Sequence, residues 1–243
     1  MALIKKSITE DSREEKEAEI VDIEKQIEAL GGLHAYQRAS LKGGDERSGR
    51  GACGKWLVQY LTPMASELRE AAGTKADAPL KLLDIGALNG ETYAKQSKWI
   101  KAEYIDLNPQ HPAVTRQDFF LRPTPSKDVD RFHVLCLSLV VNFVDDPERR
   151  GIMLSHARTF LHNNGLLFLV LPLPCTKNSR YMTHERLKEI CTAIGFQEIE
   201  FHFTKRLSYH LWRRVESGWE KQTVEKKMVN PGPARNNFCI VVK

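Results

Sequence analysis

The segment Leu82-Leu83-Asp84-Ile85-Gly86-Ala87-Leu88-Asn89-Gly90 runs from an apolar strand through a carboxylate into a tight glycine turn. In an open α/β sheet such a turn stands at the carboxyl end of its strand, where backbone N–H groups face a ligand. Asp106 comes 20 residues after Gly86 and closes the next apolar run, Tyr104-Ile105-Asp106-Leu107-Asn108. A carboxylate there can accept hydrogen bonds from both hydroxyls of a ribose. After a third short run, Gln117-Asp118-Phe119-Phe120 offers an acceptor for an exocyclic amine and an aromatic face for a purine. A nucleoside site built from Asp84, Gly86, Gly90, Asp106, Leu107, Asp118 and Phe119 is therefore expected.

The spacing of the turn narrows the choice of nucleoside. A dinucleotide pyrophosphate approaches its turn closely and needs Gly-x-Gly-x-x-Gly, but here Leu88 stands at the second glycine position. Gly-x-x-x-Gly preceded by Asp84 suits a ligand without phosphates, whose amine meets a carboxylate and whose own carboxylate meets backbone N–H groups. S-adenosylmethionine carries its groups in that arrangement. A phosphate loop is suggested by Gly49-x-x-x-x-Gly54-Lys55, yet Trp56 occupies the Ser/Thr position that would hold magnesium and no apolar strand precedes it. Nucleotide hydrolysis is excluded on that ground.

The elements that must position these residues follow from the apolar pattern. Strands are predicted at Leu80–Ile85, Ala102–Asp106, Ala113–Thr115, Phe132–Val140, Leu166–Leu171, Gln197–Phe203 and Phe238–Val242, and helices near Gly90–Trp99, Pro147–Leu161 and Thr183–Ile194. Their alternation implies an α/β, Rossmann-like, mostly parallel seven-stranded sheet with helices on both faces. Upstream, Ser12-x-x-Glu15 is a capping-box pattern, and Ile20, Ile23, Ile27 and Leu30 mark an amphipathic helix that ends at Gly31-Gly32. A glycine-rich linker, Lys42 to Gly54, leads into a helix from about Lys55 to Ala71. The expected division is a helical extension over 1–72 and a ligand-binding domain over 73–243, with a basic insertion at 204–237.

Composition agrees with a folded enzyme-sized chain. Of 243 residues 42% are apolar and 28% charged, enough for a large core. Cys53, Cys136, Cys175, Cys191 and Cys239 are far apart and form no Cys-x-x-Cys pair, so neither a disulfide framework nor a metal site is expected. No apolar run approaches the length of a membrane span and no signal-peptide pattern occurs, which points to a soluble, intracellular protein. The net charge is +5, and the eight basic and three acidic residues between Thr204 and Asn237 account for all of it. Trp212 and Trp219 lie among those cations. Basic residues interleaved with aromatics suit looped or single-stranded RNA, with Arg213 and Arg214 as phosphate contacts.

Several segments carry a family resemblance. Asp84-Ile85-Gly86-Ala87-Leu88-Asn89-Gly90 with Asp106 resembles a class I S-adenosylmethionine-dependent methyltransferase. Four further segments are Gly31-Gly32-Leu33-x-x-Tyr36-Gln37-x-Ala39-Ser40, Leu135 to Val144, Leu171-Pro172-Leu173-Pro174-Cys175 and Arg235-Asn236-Asn237-Phe238. Together they resemble the fungal large-subunit (25S) rRNA adenine-N1 methyltransferase family over about Ile23 to Val242. The resemblance implies S-adenosylmethionine as cofactor, ribosomal RNA and pre-ribosomal particles as partners, and a place in the nucleus and nucleolus. A metazoan relative of that family senses S-adenosylmethionine, so a non-catalytic sensor acting through a protein partner is the alternative.

The chemistry of adenine N1 sets what the site must contain. N1 of neutral adenine has a free lone pair and no proton, so attack on a sulfonium methyl group needs no general base. Alignment dominates. The residues after the fourth strand are where such enzymes place groups that touch the base, which selects Ser138, Asn142 and Phe143. The Asn142 side-chain oxygen could accept from the N6 amine, while Phe143 could stack. Tyr36, Gln37 and Arg38 either fold back over the ligand or pack an ordinary helix-to-loop junction.

Overall fold

The computed structural model describes residues 50–215 and 219–243 and, before them, only Val21, Asp22, Lys25 and Ala29, all four helical. Those four fall within the expected N-terminal helix. The rest of that helix, Tyr36, Gln37, Arg38 and most of the glycine linker lie outside the described residues. The chain separates into two units, Met1–Arg50 and Gly51–Lys243.

Seven strands form one sheet in the order β3-β2-β1-β4-β5-β7-β6. They are β1 (Leu80–Ile85), β2 (Ile100–Asp106), β3 (Thr115–Arg116), β4 (Phe132–Ser138), β5 (Leu161–Pro172), β6 (Phe196–Phe203) and β7 (Leu207–Arg214). The first five run parallel, and β7 is antiparallel to both β5 and β6. Because side chains alternate along a strand, the central strands supply two cores at once. Leu83, Ile85, Leu135, Leu137, Leu167 and Leu169 face one core, which α2 (Pro147–Thr159) and α4 (His184–Ala193) cover. Leu80, Leu82, Val134, Cys136, Phe168 and Val170 face the other, where α1 (Arg50–Ala71) inserts Leu57, Leu61 and Leu68. Each of those fully buried leucines contributes about 1.5–3 kcal/mol. Helix α1 thus belongs to the sheet's own core, and the expected boundary at 72/73 falls at its C-terminus.

Local sequence sets the helix ends. Asp146 Oδ1 accepts from the backbone N–H groups of Glu148 and Arg149 at 2.8 and 2.9 Å, and Pro147 opens α2. Thr183 Oγ1 likewise accepts from Arg186 N at 3.1 Å and starts α4. A short helix, α3 (Leu173–Lys177), follows β5 directly.

Two expectations about elements are corrected. The segment Gly90–Trp99 is a series of turns with a single 3-10 turn at Ala94–Gln96. An α-helix there would send the Tyr93 N–H to residue 89, whereas it donates to the Tyr104 hydroxyl at 3.2 Å. The seventh strand is not Phe238–Val242 but Leu207–Arg214, inside what reads as a basic insertion. The free edge of β5 needs a partner, and β7 pairs with it over seven residues, Leu166↔Arg213 to Pro172↔Leu207. Phe238–Val242 is buried as its composition demands, but against α2. Val241 N donates to Pro147 O at 2.9 Å, and its carbonyl approaches so closely that a Cβ at Gly151 would stand 1.9 Å from it. Its ladder contact is the single bridge Val224↔Val242.

Candidate functional site

The carboxyl ends of β1, β2 and β4 converge on the glycine turn. Gly86 adopts φ +73°, a backbone conformation that side chains disfavour. Its N–H and that of Ala87 both donate to Ile105 O, at 2.8 and 3.1 Å, which ties the turn to the end of β2. A Cβ on Gly86 would stand 2.5 Å from Val140 Cγ2 and 4.0 Å from Asp106 Oδ2. Glycine is therefore required both for the turn and for the close approach. At Gly90 a Cβ would meet Ala113 Cβ at 2.3 Å, so this second glycine serves chain packing.

Asp106 ends β2 half-buried. Its Oδ1 accepts from Asn108 N at 2.7 Å. Burial raises its pKa, and the Asn108 hydrogen bond partly offsets that rise. Held from behind in this way, the carboxylate presents its second oxygen beside the glycine turn. Leu107 follows, 65% exposed, as an apolar surface next to that carboxylate. The pairing of a carboxylate with a neighbouring apolar face is what a ribose and its base require.

Asp84 lies deeper. It is buried, its register neighbours are Tyr104 and Cys136, and burial alone lifts its pKa to about 7. The nearby Tyr93 hydroxyl lies 3.3 Å from Cys136 Sγ. A cationic group at the turn would favour the ionised form.

The end of β4 contributes the third wall, and the structure adds a feature with no sequence signal. Leu139 has φ +61°, a strained conformation for a branched residue that costs on the order of 1–3 kcal/mol. It directs the chain from Ser138 through Val140, which covers Gly86, into a 3-10 turn at Val141–Phe143. Ser138 is partly exposed. Asn142 Oδ1 is buried with no hydrogen-bond donor among the described residues. Phe143 is 58% exposed. The buried acceptor and the half-exposed ring stand two and three residues beyond the side chain that closes on Gly86.

Other expected residues stand elsewhere. Phe119 is buried with its ring against His156 and Phe160, at 4.9 and 5.2 Å between ring centroids, so it supports α2 and has no face for a purine. Asp118 spends Oδ1 on the Phe120 N–H at 2.8 Å as the cap of a 3-10 turn. Arg213 and Arg214 belong to β7 rather than to a loop. Arg213 pairs with Glu67 on α1, and the buried Arg214 donates to Leu161 O. Trp212 is fully buried, and Trp219 donates to Ala193 O at 3.2 Å while Arg158 stacks on its ring. Among the exposed cations at the carboxyl edge of the sheet are Lys205 and Arg206, in the β6–β7 turn whose Arg206 carbonyl accepts from Leu173 N at 2.7 Å. The Asn236 segment braces this edge from behind, its amide donating to Pro174 O at 2.8 Å.

Solved structures share this architecture. The 1,6-didemethyltoxoflavin-N1-methyltransferase of Burkholderia thailandensis, solved with S-adenosylhomocysteine, is 14% identical with a TM-score of 0.52 over 79% of this chain and 91% of that one. An S-adenosylmethionine-dependent methyltransferase from Archaeoglobus fulgidus gives 14% and 0.51, over 72% and 99%. The fold, with its glycine turn and a carboxylate at the end of the neighbouring strand, is that of the class I S-adenosylmethionine-dependent methyltransferases. Within that class the chain belongs to the 25S rRNA (adenine(2142)-N(1))-methyltransferase family, Bmt2, whose model matches residues 21–240. The 25S rRNA adenine-N(1) methyltransferase of Schizosaccharomyces pombe is 34% identical over 228 residues, 91% of this chain and 80% of that protein. The 25S rRNA (adenine(2142)-N(1))-methyltransferase of Saccharomyces cerevisiae is 33% identical over 219 residues, 89% of this chain and 62% of the relative.

Proposed function

We propose that this protein transfers a methyl group from S-adenosylmethionine to N1 of an adenine in large-subunit ribosomal RNA. The observation that carries the reading is the buried Asn142 Oδ1 just beyond β4, without a hydrogen-bond partner among the described residues, where Val140 closes on Gly86. Family membership supports it, since both curated relatives are named for this reaction. A protein that only senses the cofactor has no use for a base acceptor there.

The residues present suit the cofactor. Gly86 leaves room for close approach, Asp106 accepts from ribose hydroxyls, Leu107 covers a base edge, and Asp84 sits behind the turn for an ammonium group. Bound in that way, S-adenosylmethionine supplies an electrophilic sulfonium methyl group. The protein's part is alignment and charge. Asn142 Oδ1 accepts from N6–H and fixes which ring nitrogen faces the methyl group, and Phe143 offers a stacking face. Methylation makes the ring cationic, so the same oxygen and the aromatic face stabilise the developing charge. N1 lies on the pairing edge of the base, so the RNA must present this adenine unpaired or flipped.

RNA would approach over the edge that carries Lys205 and Arg206, with pre-ribosomal particles in the nucleolus as its source. Incubation with labelled S-adenosylmethionine and total rRNA, followed by mapping of the label, is expected to place it at N1 of one large-subunit adenine. Label at another atom, or in protein alone, would overturn the reading.

A further inference from the structure

His184, Glu198 and His210 come from α4, β6 and β7 and meet where the β6–β7 hairpin packs under that helix. One donor atom from each lies within 4.8 Å of the other two. Glu198 Oε2 is 3.0 Å from His184 Nε2 but not aligned with it as a hydrogen bond. Both ring nitrogens of His210, which is fully buried, and Nδ1 of His184 have no hydrogen-bond partner among the described residues. Buried polar atoms are almost always paired, so unpaired ring nitrogens within a cluster of three ligand-type side chains call for a partner.

We propose that His184, Glu198 and His210 form a structural site for a divalent transition-metal ion, Zn²⁺ by its donor chemistry, which fastens α4 to the β6–β7 hairpin. Two imidazoles and one carboxylate are a zinc donor set, with a fourth position for water. Bonds of about 2.0–2.1 Å at a tetrahedral ion put donors roughly 3.3 Å apart, so side-chain adjustment alone closes the site. Its walls are apolar. The rings of Phe201 and Phe203 lie 4.1 and 5.7 Å from that of His184, and Trp212 stacks on His210 at 6.0 Å. A surface depression lined by Lys188, Thr192, Gln197 and Glu198 reaches the carboxylate member of the cluster. Lys188 Nζ sits 3.3 Å from Oε1, the other carboxylate oxygen, and its side chain is 57% exposed, so it can swing into solvent.

The sequence gives no hint of this site because its members are 14 and 12 residues apart, outside any short ligand motif. It lies on strands beyond β5, away from the glycine turn on β1, and does not depend on the methyl-transfer reading.

The test loads the full-length protein with Zn²⁺, removes loose metal by gel filtration, and measures bound zinc by mass spectrometry; Co²⁺ titration adds a visible spectrum. One Zn²⁺ per chain and a tetrahedral Co²⁺ spectrum are expected. Glu198→Gln and His184→Gln, both at the accessible side of the cluster, should weaken binding by more than the ~10–100-fold typical of losing an outer partner. Lys188→Met removes a competing charge and should tighten it. Substoichiometric zinc in the wild type, or uptake undiminished in both ligand variants, would show a plain ion pair and overturn the proposal.

Discussion

The two halves of the sheet differ in where their partly open polar groups stand, although the first half also buries Asp84 on β1 and His133 on β4. In the half made by β3, β2, β1 and β4, Asp106, Asp118 and Asn142 sit at or just beyond carboxyl ends of strands, partly open, and each of the last two is within a turn of a neighbouring strand end. In the half made by β5, β7 and β6, Ser208, His210 and Arg214 lie within the layer itself, buried between strands and helices. A polar group at a strand end serves a ligand, because the strand's backbone is already satisfied and the loop can open outward. A polar group inside the layer must be satisfied by the fold or by something bound within it.

That contrast is most sharply tested at the glycine turn. Gly86→Ala places a Cβ against Val140 in a left-handed backbone and should weaken S-adenosylmethionine binding by at least about 100-fold in calorimetry, through loss of several interactions worth ~1.5–3 kcal/mol each. Near-normal affinity would mean that the strand-end half is not the ligand half. Asp106→Asn keeps shape but removes charge from the hydroxyl acceptor, and a loss of roughly 10–100-fold is expected with the fold intact by circular dichroism.

A smaller effect separates base positioning from cofactor binding. Asn142→Ala should lower kcat about 10-fold while leaving the cofactor Kd unchanged, as for an interaction made only with the reacting base. A matching loss of cofactor affinity would assign Asn142 to the cofactor instead. For RNA, Lys205→Glu with Arg206→Glu should weaken binding several-fold and flatten its salt dependence by about two charges. Arg213→Gln, which breaks the pair with Glu67, should alter RNA affinity by less than ~2-fold. The reverse order would return the RNA surface to β7.

A further expected effect, on stability rather than binding, concerns Asp84. Its pKa of about 7 in the fold lies above the ordinary carboxylate value, so the folded protein binds this proton more tightly than the unfolded chain. Without cofactor, the Asp84 contribution to stability is full below about pH 4 and is lost as pH rises through 7. Asp84→Asn should flatten that decline and raise stability at pH 8 by about 1 kcal/mol in denaturant melts. Bound cofactor, with its ammonium group, should shrink the gain.

The half with the glycine turn is largely legible in the sequence. Strand β1 matches its expected limits, and Gly86 and Asp106 stand together as their spacing requires, because motif and strand are contiguous in the chain. An aromatic after a strand can turn either to the pocket or to the core, and for Phe119 only the packing of His156 and Phe160 decides for the core. The other half was less legible. Leu207–Arg214 carries Ser, His and two arginines, which locally disfavour a central strand, yet pairing along the open edge of β5 outweighs that preference.

Sequence alone determined the order of alternating elements, the apolar strands with their two buried faces, and the glycine turn that only a residue without Cβ can make. These are local properties, fixed by side-chain period and backbone sterics within a few residues. Tertiary structure alone decided which segment closes the sheet, which cations remain exposed, and that His184, Glu198 and His210 meet. Those outcomes depend on contacts between residues far apart in the chain, where burial and hydrogen-bond satisfaction are set by the assembled layers and not by neighbours in sequence.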